Sequence, residues 1–187
     1  MIGSGPYASI LAGDVGLRTP RFDLAPLQPR DAEDLLRAFS DAEVVRFMDI
    51  ERHTDIAEAR SVIEWTQNIR AAGTGVRWAI RAREDAGFVG TCGFNGLVWE
   101  RGCRGEIGYD VVRRFWGARV MDEIMPALLG FGFRTLGLRR IEAMVTEGNQ
   151  WSCRLLERHG FIREGVLRDH AFWKDEFWDQ LIYAKLG

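Results

Sequence analysis

The chain has little with which to cross-link itself: three cysteines in 187 residues, Cys92, Cys103 and Cys153. Their odd number and spacing fit neither a zinc ribbon nor a Cys-x-x-Cys redox pair, which leaves reduced thiols and a cytoplasmic protein as the simplest expectation. No apolar run approaches the roughly 20 residues of a membrane span, and the N-terminus lacks a basic stretch followed by an apolar one, so no membrane partner and no export are expected. Neither sign of charge is in excess: 25 Lys and Arg stand against 27 Asp and Glu, a net charge of -2. No overall basic field is present to draw nucleic acid. The three histidines, His53, His159 and His170, are far apart and lack ligand spacing, so no metal is expected. Also missing are a Gly-x-x-x-x-Gly-Lys-Ser/Thr loop, a Gly-x-Ser-x-Gly elbow and a His-Glu-x-x-His pair. Nucleotide hydrolysis, serine esterase chemistry and zinc proteolysis lose support accordingly.

What is present suits one globular domain with a sizeable core, 47% of residues being hydrophobic and 28% charged. Residues 1–20 keep neither a period of 2 nor one of 3.6 and read as an irregular arm ahead of a single domain over 21–187. Gly3-Ser4-Gly5 with Ala8 looks superficially like a dinucleotide fingerprint, but no strand precedes it. A short strand over Phe22 to Leu27 is closed by Pro26 and Pro29. Asp31 or Gln28 then opens a helix with Ala32, Leu35, Leu36 and Phe39 on one face. A second helix is expected from Asp55 to Arg70 on Ala59, Val62, Ile63, Thr66 and Ile69, with Gly73 and Gly75 ending it.

The period then changes. Val76 to Arg81, Gly87 to Phe94 and Arg104 to Val112 read as an antiparallel meander, with turns at Asp85-Gly87, Asn95-Gly96 and Gly102. A helix follows over Val120 to Leu136, then a strand over Arg140 to Thr146, then a helix from Asn149 or Ser152 to His159. Two final strands lie near Phe161 to Arg168 and Phe177 to Lys185. This order gives a mixed α/β sheet with helices across its faces.

The stretch Glu106-Ile107-Gly108-Tyr109-Asp110-Val111-Val112-Arg113-Arg114-Phe115-Trp116-Gly117-Ala118-Arg119-Val120-Met121-Asp122-Glu123 runs from a strand through a basic turn into a helix. Such a junction presents unpaired amides and a helix dipole to an anion, with Arg113, Arg114 and Arg119 nearby. The ordinary alternative is a plain connection with solvated arginines.

These residues, with Thr19-Pro20-Arg21-Phe22-Asp23-Leu24, Asn149-Gln150-Trp151-Ser152, Leu155 to Phe161 and Glu164 to Asp169, resemble the GNAT acetyltransferase superfamily, in its ribosomal-protein alanine N-acetyltransferase (RimJ/RimL-like) branch. The likeness runs from Thr19 to Leu186. It implies a mixed, mostly antiparallel seven-stranded sheet flanked by about four helices, with two splayed parallel central strands that bind acetyl-coenzyme A. By the resemblance, Val111 and Val112 would run beside the pantetheine arm and offer an amide to the thioester carbonyl. Arg114, Gly117, Ala118, Arg119, Val120 and Met121 would take the pyrophosphate, and Asn149 and Ser152 would lie near the thiol.

The chain departs from the family in three places. Arg119 stands where a glycine is usual, Met121 where a small residue is usual, and Leu156 where many members carry a general-acid tyrosine. The leaving thiolate would then be protonated by Ser152, Tyr109 or water. Glu106, acting through water, is the candidate base, with pairing to Arg104 as its alternative role. Ser152 is the second catalytic candidate, with helix capping as its alternative.

Trp65, Trp78, Trp99, Trp151, Phe172, Trp173 and Trp178 read mostly as packing residues. Phe172-Trp173-Lys174-Asp175, read as a loop, and Asp49, Glu51 and Asp55 are where an acceptor amine could lie. Three readings remain open: an acetyltransferase acting on a protein N-terminus or a small amine, a CoA-binding regulatory module without turnover, and an interaction domain using exposed aromatics, with a homodimer among its forms.

Overall fold

In the computed structural model, which describes residues 7–100 and 102–187, strand and helix follow the two hydrophobic periods closely. The described residues form eight strands: β1 (Leu17–Arg18), β2 (Phe22–Pro26), β3 (Val76–Ala82), β4 (Phe88–Val98), β5 (Arg104–Val111), β6 (Arg140–Thr146), β7 (Ile162–Trp173) and β8 (Glu176–Leu186). They lie in one sheet in the order β1-β2-β3-β4-β5-β6-β8-β7. Every neighbouring pair is antiparallel except β5 and β6. Five α-helices accompany them: α1 (Ala8–Ala12), α2 (Ala32–Phe39), α3 (Ile56–Ala72), α4 (Val120–Gly130) and α5 (Gln150–Arg158).

Local signals account for the helix ends. The Asp55 side chain accepts from the Ala57 amide at 2.8 Å, while Glu58 reaches back to the Asp55 amide at 2.8 Å, a reciprocal cap that starts α3. Gln28 and Asp31 cap each other ahead of α2 in the same way. The long helix expected over 120–136 is α-helical to Gly130 and then widens into a π turn over Phe131–Thr135.

Strand alternation sends side chains to two cores. Val76, Trp78, Ile80, Phe94, Ile107 and Ile141 pack with α4 and its continuation. Ala79 and Phe88 point the other way, against α2 and α3. Trp78 is fully buried, edge-on to Phe131 with ring centroids 5.2 Å apart, and its indole N–H donates to the Val15 carbonyl at 2.9 Å.

The structure corrects several expectations. Among the described residues the sheet has eight strands where the resemblance implied seven, and five α-helices accompany it where about four were implied. The arm is not irregular among its described residues: α1 and β1 lie in it, and Tyr7, Leu11 and Val15 join the main core, so burial without regular periodicity hid the helix. The Gly3-Ser4-Gly5 segment lies outside the described residues. Asn95-Gly96 is a β-bulge inside β4 and not a turn. Phe172 and Trp173 belong to β7, and the turn to β8 is Lys174-Asp175 alone, both at positive φ (52° and 58°), as a tight two-residue hairpin requires. Among the aromatics assigned to packing, Trp65, Trp99, Trp151 and Phe172 are exposed, Trp151 at 79%.

Candidate active site

β5 and β6 are neighbours for three residues only. Arg104, Gly105 and Glu106 register with Arg140, Ile141 and Glu142, after which β5 continues to Val111 and β6 to Thr146 without pairing. The two strands diverge at Glu106 and Glu142, and the gap opens toward the connections that lead into α4 and α5. Bare strand edges inside a sheet leave amides and carbonyls in want of partners.

Val111 and Val112 play different parts on the β5 side. The Val112 amide donates to the Val89 carbonyl of the neighbouring strand at 2.9 Å and is committed there. The Val111 carbonyl accepts from the Trp116 indole at 2.7 Å, on the side away from β4. Because N–H and C=O of one strand residue point the same way, the Val111 amide faces the gap. Of these two amides, the one of Val112 is thus committed to β4.

At the entrance to α4, Gly117 has φ 78° and nothing within 4 Å of the place a Cβ would occupy. Among the described residues, no side chain caps α4. The Ala118 amide donates to Phe115 at 3.2 Å, leaving Gly117, Arg119, Val120 and Met121 to present theirs outward. The two acids of the first turn are held elsewhere. Glu123 accepts from the Thr19 hydroxyl (2.6 Å), the Arg21 amide (2.8 Å) and the Arg21 guanidinium (2.5 Å). Burial pushes its carboxyl up, but these bonds prevail and hold it below the usual range. Asp122 is gripped by Arg158 at 3.0 and 3.1 Å. Arg21 also donates to the Ala118 carbonyl at 3.1 Å, tying the turn from behind. Thr19, Arg21 and Glu123 were missed as supports of the turn. The sequence signals for them were the Thr19-Pro20-Arg21 match and the place of Glu123 at the end of the strand-turn-helix stretch.

The arginines expected around this turn do not converge. Arg113 pairs with Asp41 at 2.6 Å, and Arg114 donates to the Phe88 carbonyl at 2.9 Å while lying over Phe115. Arg119 alone sits at the helix start, at φ 55° and ψ 35°. This is the left-handed conformation, and it explains why the family places glycine at the position. A non-glycine residue there costs roughly 1–2 kcal/mol. Arg119→Gly is expected to raise stability by about 0.5–1 kcal/mol net of the unfolded chain's added freedom, read as an upward Tm shift. The same variant's acetyl-CoA affinity, by calorimetry, tells whether the side chain clasps phosphate (weaker binding) or crowds it (tighter binding).

On the β6 side, Asn149 is the N-cap of α5, its Oδ1 accepting from the Ser152 amide at 3.2 Å. Ser152 is therefore not the cap, and its hydroxyl lies 2.7 Å from the Tyr109 hydroxyl, a bond that spans the gap from β5 to α5. Burial raises the Tyr109 pKa and Ser152 pulls it only partly back, so Tyr109 stays protonated. Leu156 is fully buried and has no place in proton transfer.

Glu106 points from the opposite face of β5, since Ile107 joins the α4 core and residues alternate. Arg104 lies 3.4 Å from Glu142, which also takes Arg140 at 2.6 Å, so Glu106 is not the partner of Arg104. Burial raises the Glu106 pKa first, and the carboxylates of Glu142 and Asp49 add to it. Hydrogen bonding from Asn95 and the charge of His170 offset part of that. A carboxyl group is thus held at the vertex of the gap on one face, and a hydroxyl pair bridges the gap on the other. Among the described residues no cluster could hold a metal ion.

The comparisons with known proteins identify the family. Residues 21–162 match the family model described as "Acetyltransferase (GNAT) domain". The chain belongs to that family and is an acyltransferase of the GNAT class. Among its relatives is "Uncharacterized N-acetyltransferase p20" of Bacillus licheniformis, 37% identical over 170 residues that cover 91% of this chain and 95% of the relative. YoaA of Bacillus subtilis, also described as an uncharacterized N-acetyltransferase, is 34% identical over 90% of this chain and 94% of its own. Among solved structures, a ribosomal-protein-S5-alanine acetyltransferase from Vibrio fischeri superposes with a TM-score of 0.81 at 15% identity, covering 92% of this chain and 97% of that one. Mycobacterium smegmatis RimJ, in complex with CoA-disulfide, superposes at 0.81 and 22% identity, covering 91% and 85%. At those identities the superpositions speak for the fold. No helix among the described residues is long and apolar enough to cross a membrane.

Proposed function

We propose that the protein moves an acetyl group from acetyl-coenzyme A to a primary amine, either a protein N-terminal α-amino group or a small-molecule amine, by direct attack in a ternary complex. The observation that carries this reading is the gap between β5 and β6, which has outward amides at the start of α4 on one flank and Glu106 at its vertex. The residues present fit the cofactor: the open Gly117 turn and the amides of Gly117, Arg119, Val120 and Met121 would hold its diphosphate, the Val111 amide would meet the acyl carbonyl, and Asn149 with Ser152 would lie at the thiol end. When bound, acetyl-CoA supplies an activated thioester acyl group.

The chain's own residues then manage two protons. An α-amino group has a pKa near 7.7–8.0 and a lysine amine near 10.4, so the former needs less help to become a neutral nucleophile. Glu106, its pKa raised by burial and by Glu142 and Asp49, accepts the amine's proton through water. Glu142 is paired with Arg104 and Arg140, so on that face the exposed Asp49 is the carboxylate that a cationic acceptor would meet. Ser152, held by Tyr109, is the proton donor across the sheet.

Arg119 and Leu156, as departures from the family, are what speak for a CoA-binding module without turnover. The Tyr109–Ser152 pair supplies the hydroxyl that Leu156 cannot, and so favours the enzyme. Titrating the protein with acetyl-CoA is expected to release heat and to raise stability by about 2.7 kcal/mol at a hundredfold excess over Kd. Thiol release with an amine panel should be steady and faster for peptides with free α-amines than for blocked peptides carrying lysine. No heat and no melting shift would overturn cofactor binding, and heat without thiol release would leave the regulatory module.

A further inference from the structure

Beneath Glu106 lies a group of polar residues that the chemistry above does not use. Arg77, on β3, is nearly buried. One of its terminal nitrogens, Nη2, donates to Thr91 Oγ1 and lies 3.2 Å from Asp110 Oδ2. Asp110 in turn accepts from the Thr91 amide (3.0 Å) and hydroxyl (2.5 Å). The other nitrogen, Nη1, donates to Asn95 Oδ1 at 2.6 Å. That bond fixes which way the Asn95 amide lies: its Nδ2 is turned over Gly108 of β5, on the face that carries Glu106, and Asn95 falls between the β4 residues that pair with Ile107 and Glu106.

The sheet is shaped to admit this chain of contacts. Phe94 and Leu97 both enter the α4 core although they are three residues apart, because β4 bulges between Phe94 and Gly96. Asn95 is the extra residue, and a bulge of this kind re-aims a side chain. A Cβ on Gly108 would stand 2.6 Å from Asn95 Nδ2 and 3.0 Å from Arg77 Nη1, and one on Gly93 would stand 2.6 Å from the Arg77 Cα. Bare backbone on both neighbouring strands leaves the room that the guanidinium and the amide occupy.

We infer that Arg77 and Asn95 are positioning residues: Arg77, anchored on Asp110 and Thr91, orients the Asn95 amide, which holds the Glu106 carboxylate at the vertex of the gap. The inference rests on the reading of Glu106 as the base. Its fork geometry is specific to arginine, since lysine keeps the charge but has one nitrogen to serve both Asp110 and Asn95. The groups facing Glu106 are Glu142 on β6, Asp49 from the α2–α3 connection, His170 on β7 and Asn95 on β4. Arg104 and Arg140 face Glu142. Asn95 alone among the four facing groups can offer the carboxylate a hydrogen-bond donor that carries no charge. Its loss removes a bond to the ionised form and moves the Glu106 pKa up.

The test uses the full chain. Asn95→Ala, half-buried and therefore tolerant, is expected to lower kcat about 10- to 100-fold at unchanged KM for acetyl-CoA. The acid limb of kcat/KM should shift to higher pH. The Glu106 carboxyl, followed by carbon-13 NMR in protein labelled at glutamate and assigned with Glu106→Gln, should titrate at higher pH in the cofactor-free protein too. Arg77→Lys should reproduce both changes, and the double variant should be no worse than either single one. In a Glu106→Gln background, Asn95→Ala should have no effect on kcat.

An unmoved Glu106 titration in Asn95→Ala, or an equal fall in kcat in the Glu106→Gln background, overturns the relay while leaving the base in place. Glu106→Gln with wild-type kcat overturns the base reading itself. If Arg77→Lys fails to fold, Asn95→Ala carries the test alone.

Discussion

Replacing Glu106 with glutamine is expected to lower kcat by about 10²–10⁴-fold, the range that a positioned general base contributes. The substitution keeps shape and an oxygen able to accept from Asn95 while removing the ability to take a proton, so KM for acetyl-CoA should hardly change. The pH profile gives a second, independent reading. In the wild type, kcat/KM should rise with pH through two ionisations, that of the amine and that of Glu106. The Glu106 limb should lie above an ordinary glutamate's pKa of about 4.3, because burial, Glu142 and Asp49 outweigh Asn95 and His170.

In Glu106→Gln that limb should vanish and leave only the acceptor's own. Stability should move the other way. A carboxyl group whose pKa is raised on folding binds its proton more tightly in the folded state, so it costs stability as pH rises through the window above the unfolded value. Glutamine carries no such cost, and the variant should melt higher than the wild type at neutral pH while the two converge in acid. A base tuned at the expense of stability gives this opposed pair of results. A carboxylate that merely paired with an arginine would lose both activity and stability.

Much of the fold was legible because each element declares itself over short range. Ala32, Leu35, Leu36 and Phe39 recur at helical spacing, Asp55 and Glu58 announce a cap, and Gly73 at φ 73° ends the helix that they start. What escaped was set by contacts distant in sequence. Tyr7, Leu11 and Val15 are buried because α3 and the sheet lie against them, and nothing in their own neighbourhood implies it.

The same holds at the site. Glu106 and the Gly117 turn could be proposed from strand, turn and helix order, and Ser152 from the family resemblance, but their partners come from elsewhere in the chain. Tyr109 and Ser152 are 43 residues apart, Arg21 and Glu123 are 102 apart, and Arg77 and Asp110 are 33 apart. Arg113 and Arg114 show the converse: local proximity suggested a cluster, and Asp41 and Phe88 drew them off. Asn95-Gly96 has the composition of a turn, yet Phe94 and Leu97 on either side of it are both buried in the core, and the pair is taken up as a bulge within the strand.

The largest stability effect should come from separating Arg77 from Asp110. The two side chains are 10% and 3% exposed, so removing one leaves a charge in a poorly solvated interior. Arg77→Met is expected to destabilise by about 3–5 kcal/mol, measured by urea unfolding at neutral pH. The loss has a signed pH dependence. Burial already raises the Asp110 pKa against the opposing pull of Arg77 and Thr91, and without Arg77 it must rise further. As pH falls toward an unfolded aspartate's pKa of about 3.9, the carboxyl is neutral in both states and the penalty should shrink to lost packing and lost hydrogen bonds.

The Arg77→Met/Asp110→Leu double variant should recover most of the stability, because two apolar side chains of similar bulk leave no buried charge behind. Recovery should be incomplete, since the Thr91 amide loses its acceptor at Asp110 and Asn95 Oδ1 loses its donor at Arg77. Activity should not recover with stability. With the amide of Asn95 no longer anchored, the Glu106 carboxyl in a well-folded double variant should titrate above the wild-type value and turnover should stay low. A double variant that regained both would place the buried pair in the service of the fold alone.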